Sequence, residues 1–197
     1  MSNLVQHLVL MANFDINIYD LKSLRPYFPV FKFVAVFGGL YLALSLIYGF
    51  YLQKEYSAQY YPDPVTALFA DQVSWIINAL GRKSETVNSS ALSSVKLSID
   101  GNVVYRVIEG CNAISVMILF ASFVLAFAKA WKKTALFLLF GIVLLYIMNL
   151  LRLVALAYIY ADYSQYKAFS HEIMFPAVIY GTVVLLWLYW IKKPKAL

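Results

Sequence analysis

Charge is scarce in this chain: 13% of its 197 residues are Asp, Glu, Lys or Arg, and only 10 are acidic. Soluble domains carry roughly a quarter charged residues, so a water-facing surface over most of the chain is excluded. Cysteine occurs once, at Cys111, which excludes an internal disulfide and a cysteine-based metal cluster. Histidine occurs twice, His7 and His171, too few to complete a structural zinc site beside one thiol; no cofactor or metal is expected. Residues 1–19 contain no Lys or Arg and no small-residue cleavage site, so they do not read as a removable signal peptide. No Gly-x-Ser-x-Gly, no pair of intramembrane aspartates and no His-Glu-x-x-His occurs, which sets aside the intramembrane proteases built on those groups.

What is abundant is apolar surface. Hydrophobic residues make up 62% of the chain, with a mean hydropathy of +0.72. The fold class predicted is an all-α integral membrane protein: a single multi-pass domain over residues 1–197, with about four spans near 31–52, 111–128, 134–160 and 172–191. The first span carries one charge, Lys32. Its 22 residues rise about 33 Å, enough for a hydrocarbon core of ~30 Å.

Residues 53–110 form the one sizeable hydrophilic segment. Pro62-Asp63-Pro64 marks a turn, and Val65, Leu68, Phe69, Val73, Ile76, Ile77 and Leu80 recur at helical spacing. That pattern predicts an amphipathic helix lying on the membrane, ended by Gly81. Residues 82–94 read as a polar, serine-rich loop. Val95–Ile99 and Val103–Ile108 flank Asp100-Gly101-Asn102, the pattern of a β-hairpin with Gly101 in its turn. The insertion is thus expected to be α+β.

Orientation follows from short basic flanks. Lys22, Arg25 and Lys32, then Lys129, Lys132 and Lys133, then Lys192, Lys193 and Lys195 give nine of the 16 cations to one side. Four spans with both termini cytoplasmic satisfy this, and residues 53–110 fall outside. No nucleic-acid partner is needed to explain the net charge of +6, because the cations cluster at span ends.

This topology brings three groups to one depth. Cys111 lies at the outer end of the second span, Arg152 near the outer end of the third, and His171 at the start of the fourth. An arginine in an apolar segment costs roughly 2.5–3.5 kcal/mol on insertion scales and marks function by default. Asn149 and Tyr146 precede it at one-turn intervals, a polar stripe that should face inward. The positive end of the second helix favours a thiolate at Cys111, and that of the fourth favours His171 as a base. Arg152 suits thiolate or oxyanion stabilisation, and Asn112 offers a second donor through its side chain or backbone N–H.

Gly110-Cys-Asn-Ala-Ile-Ser115, Asn149-Leu-Leu-Arg152 and His171 together resemble the exosortase/archaeosortase family of multi-pass membrane proteins. The likeness is nearest to the short F-subgroup form of Bacteroidetes-type bacteria and runs from about Tyr27 to Trp190. It implies a cysteine peptidase or transpeptidase of the bacterial cytoplasmic (inner) membrane. Its partners would be exported proteins bearing a C-terminal sorting signal, the lipid bilayer and a small accessory membrane protein. The family's nucleophile corresponds to Cys111, its essential arginine to Arg152 and its third position to His171, with Asn112 and Asn149 supporting. A second reading is a non-enzymatic assembly factor or small transport component, in which Arg152 pairs with Glu109, Asp162 or Glu172 and Cys111 is inert.

Overall fold

The computed structural model describes residues 25–56, 62–89, 92–128 and 130–192. Contacts divide the chain into two units, Met1–Val36 and Phe37–Leu197. In the first, the described residues form a 3-10 turn, Arg25–Tyr27, and the opening turns of α1 (Phe28–Leu52). All that follows concerns the second unit, which begins inside α1. The readings at Lys22, Lys129, Lys193 and Lys195, and the account of residues 1–19, fall outside the described residues.

After α1 come α2 (Pro64–Ala79), strands β1 (Ser84–Ser89), β2 (Ser94–Ile99) and β3 (Asn102–Val107), a 3-10 turn Glu109–Cys111, α3 (Ile114–Ala126), α4 (Trp131–Asp162) and α5 (Phe175–Lys192). Three helical segments are long and apolar enough to cross a membrane: Arg25–Leu52, Trp131–Asp162 and Ser164–Lys192. The expected second span contracts to α3, whose 13 residues rise only about 20 Å. The apolar run is longer than that helix because Cys111 to Ala113 is spent on a turn, and residues 127–128 on its end.

The local signals at both ends of α2 act as read. Asp63 caps it, its Oδ1 accepting from the N–H groups of Val65 (3.0 Å) and Thr66 (2.9 Å), with Pro64 in the first turn. At the other end Gly81, at φ 92°, lets the Arg82 N–H return to the Ile77 carbonyl (3.3 Å), a Schellman closure. The apolar stripe of α2, expected to lie on the membrane, divides: Leu68 and Leu80 are exposed, and the rest turns to a protein core. Phe69, Val73 and Ile77 are buried against Leu97 and Ile99 of β2 and Leu153 and Ala157 of α4. Burial in a protein core removes the same apolar area from water, and the sequence pattern alone does not distinguish the two.

The sheet has three antiparallel strands in the order β1-β2-β3. The hairpin between β2 and β3 turns on Asp100 (φ 52°) and Gly101 (φ 84°), a two-residue turn with both residues left-handed. Residues 84–89, read as loop, instead form β1 at the sheet edge. The segment alternates polar and small residues with only Val87 apolar, so its pairing with β2 carries it rather than its own propensity. Arg82 clasps the hairpin turn to the end of α4, contacting Asp100 and Asp162 at 2.7 Å each.

Two cores share α4. Its first half packs Phe137 and Leu145 with Phe120 and Val124 of α3 and Val183 and Trp190 of α5. Its second half packs Leu153 and Ala157 with α2 and the sheet. Leu136, Leu139, Val143, Ile147 and Leu151 run down its outer side, exposed. A helix apolar on all sides is what a lipid-facing span requires. At 32 residues α4 is about 48 Å long, well beyond a ~30 Å core, and its two halves serve the two clusters. Tyr146 packs against both cores, and the candidate site lies at this seam.

Candidate active site

Cys111 ends the 3-10 turn that follows β3. Its own N–H donates to the Ile108 carbonyl (2.8 Å), and the Asn112 N–H to that of Glu109 (3.3 Å). Ala113 then takes a left-handed conformation (φ 58°) before α3 starts. The chain thus passes from strand to helix in the six residues 108–113 and leaves Cys111 half-buried at the corner.

The residues on either side of that corner are tied down. Asn112 is buried; its Nδ2 donates to the Tyr48 hydroxyl (2.8 Å) and Thr66 Oγ1 (3.2 Å), and its Oδ1 accepts from the Ile114 N–H (3.0 Å). It therefore joins α1, α2 and α3. The expectation that Asn112 supplies an oxyanion donor is not met, since its amide hydrogens and its backbone N–H already have acceptors. From the other side Asn149, fully buried on α4, donates through Nδ2 to the Cys111 carbonyl (2.8 Å). The inward polar stripe is as expected, with the Tyr146 hydroxyl donating to Gln72 Oε1 and Arg152 Nη1 to Asn149 Oδ1 (3.4 Å).

Arg152 Nε is buried and has no hydrogen-bond partner among the described residues. None of the ion pairs resolved there involves Arg152, and Asp162 is taken by Arg82. The structural pairing of Arg152 with a carboxylate is not what these residues form.

His171 does not open a helix. The segment from Ser164 to Lys192 is continuous, passing through a 3-10 turn, one α turn (Lys167–Phe169) and a π turn (Ser170–Met174) before α5. His171 stands in the π turn, seven residues past Ser164, so a helix-end dipole at this position is not available. The run Ser164-Gln-Tyr-Lys-Ala-Phe169 between the expected third and fourth spans contains no glycine or proline to stop a helix, and it is helical. A π turn widens the helix by one residue and re-aims the side chains it carries.

Cys111, Arg152 and His171, separated by 41 and 19 residues in sequence, line one cleft of about 200 Å³. Tyr105, Arg106 and Tyr160 also line it, and Leu153 and Leu156 supply apolar wall. The first three are legible in the sequence; the two tyrosines are not. Tyr105 donates its hydroxyl to the Leu153 carbonyl (2.9 Å) and stands edge-on to Tyr160, with centroids 5.9 Å apart. Burial, with the Cys111 charge as the next cause, pushes the Tyr105 phenol well above its ordinary value of 10.0, so it remains a neutral donor. Among the described residues no group of three or more His, Cys, Asp or Glu could hold a metal ion.

A helical membrane protein whose single thiol shares a cleft with an arginine and a histidine is the class that fold and site define. The family model described as transmembrane exosortase (Exosortase_EpsH) matches residues 31–191. The chain belongs to the transmembrane exosortase family. No curated protein and no solved structure matches it significantly.

Proposed function

We propose that this protein is a membrane-embedded cysteine peptidase or transpeptidase. It cleaves C-terminal sorting signals from exported proteins at the outer face of the bacterial cytoplasmic membrane, and transfers the product where an amine acceptor is present. The single observation that carries this reading is the shared cleft of Cys111, Arg152 and His171. In the proposed reaction the Cys111 sulfur attacks the substrate carbonyl as His171 takes the thiol proton. Arg152, with a donor unspent, stabilises the oxyanion. His171 returns the proton to the leaving amine. Water or an acceptor amine then opens the thioester and regenerates the thiol.

The same reading takes α3 as a short fourth span, both termini cytoplasmic and the sheet outside. Support comes from α4: Asn149 lies 18 residues past Trp131, about 27 Å of rise, which sets the Cys111 carbonyl close to the far boundary of a ~30 Å core. Membership of the short F subgroup rests on the sequence resemblance.

The test compares cells producing the native chain with cells producing Cys111→Ser, Arg152→Ala or His171→Ala. The C-termini of cell-envelope proteins are read by mass spectrometry, and Cys111 is labelled from outside with a membrane-impermeant maleimide. The expected result is outside labelling in the native chain and retention of C-terminal extensions on a subset of exported proteins in all three variants. Identical C-termini in native and Cys111→Ser cells would show that the thiol cleaves nothing.

A further inference from the structure

The cleft borders a strand edge, and we infer that β3 binds the substrate by main-chain pairing, taking an extended peptide as a fourth strand that leads its scissile carbonyl to Cys111. This rests on the peptidase reading of the site.

Three observations carry it. First, β3 is the last strand of the sheet, and among the described residues its outer edge pairs with nothing. Second, successive residues of a strand point to opposite faces. Tyr105 points inward, bonded to the Leu153 carbonyl, while Arg106 is exposed on the other face, yet both line the cleft that holds Cys111. A cleft lined from both faces of a strand runs along its edge, where the unused N–H and C=O groups project. Third, the pairing register passes from Leu97↔Tyr105 to Ser98↔Val103, leaving Val104 as an unmatched bulge residue. A bulge bends and twists its strand, and the Tyr105–Val107 half beyond it leads directly into the turn that holds Cys111.

The other edge makes a useful contrast. β1 carries Glu85 and Asn88 and has no part in the cleft, the charged and polar kind of edge that resists strand addition. Beside the exposed Arg106, β3 carries Val103, Val104 and Tyr105, residues that favour pairing. An extended peptide adding there would gain affinity from its main chain and selectivity from alternate side chains. This fits an enzyme that must accept one short segment within many different exported proteins.

The probe is a set of alanine-based peptidyl chloromethyl ketones of increasing length, each also made with a single backbone N-methyl group placed in turn. In alkylation the Cys111 sulfur bonds to the methylene carbon as chloride leaves, and the thiol proton passes to solvent. Because the chain has one cysteine, the mass shift of the purified full-length protein in nanodiscs reports this site alone. The expected result is a labelling rate that rises with peptide length. N-methylation should then lower it about 3- to 10-fold at every second position and leave it unchanged between, since each blocked N–H removes one hydrogen bond. A rate that rises with length but shows no alternation would overturn strand pairing while leaving Cys111 a peptide-directed nucleophile. A rate independent of length would overturn both.

Discussion

Asn149 of α4 donates its amide to the carbonyl of Cys111 at 2.8 Å, so the polar stripe of a membrane helix fixes the backbone of the only thiol in the chain. The same side chain accepts from Arg152. One buried amide thus ties the Cys111 backbone to the Arg152 guanidinium.

Asn149→Asp should expose that role. The carboxylate keeps the shape but cannot donate, so the Cys111 carbonyl faces a second acceptor. Leaving a buried acceptor unpaired costs roughly 1–3 kcal/mol. Thermal unfolding in detergent should fall accordingly, and the rate of maleimide labelling at Cys111 should change from that of the native chain. If Asn149→Asp keeps both the native stability and the native labelling rate, the positioning role is wrong.

The parts of this protein legible in its sequence are those specified locally or by lipid. Lys32 and the apolar run after it mark α1, Gly81 marks the end of α2, and Asp100-Gly101 marks the hairpin, each by a local rule. Cys111, Arg152 and His171 were placed together because spans of fixed length return the chain to fixed depths, and the cleft contains all three. What tertiary contact decides was not legible. Phe69, Val73 and Ile77 of the α2 stripe form a core face; β1 pairs with β2 although its own residues favour a strand only weakly; Asn112 is a tie among three helices. Tyr105 is not legible as a cleft residue, because nothing in a strand's sequence tells which edge borders a cleft.

Gly141 is the tightest point of the α3–α4 contact. A Cβ there would meet Phe120 Cζ at 2.1 Å, and Phe120 is fully buried. Gly141→Ala should destabilise by about 1–3 kcal/mol through overpacking. Adding Phe120→Leu should recover much of that loss, although Phe120→Leu alone is destabilising. A double variant no more stable than Gly141→Ala would show that the glycine serves helix flexibility rather than Phe120.

Ala113 holds a left-handed conformation between Cys111 and α3, at φ 58°. That conformation costs an L-residue roughly 1–2 kcal/mol, which glycine avoids. Ala113→Gly should therefore raise the unfolding temperature, less the entropy that glycine adds to the unfolded chain. Ala113→Val should lower it and slow Cys111 labelling, because a β-branched residue resists this conformation. Equal stability of the glycine and valine variants would place the strain elsewhere.

The Tyr105 phenol supplies a pH-dependent test of the cleft wall. Burial raises its folded-state pKa above the ordinary 10.0 of the unfolded chain. A group shifted upward contributes its full stability below the unfolded value and loses it as pH rises beyond, so the window opens at about pH 10.0. Tyr105→Phe removes the hydroxyl and its bond to Leu153, a loss of about 1 kcal/mol near neutrality. The difference in unfolding temperature between the native chain and Tyr105→Phe should stay constant below that window and shrink above it. A difference that stays constant as pH rises past 10.0 would mean that the phenol titrates alike in the folded and unfolded chains, is solvated, and does not wall the cleft as a neutral donor.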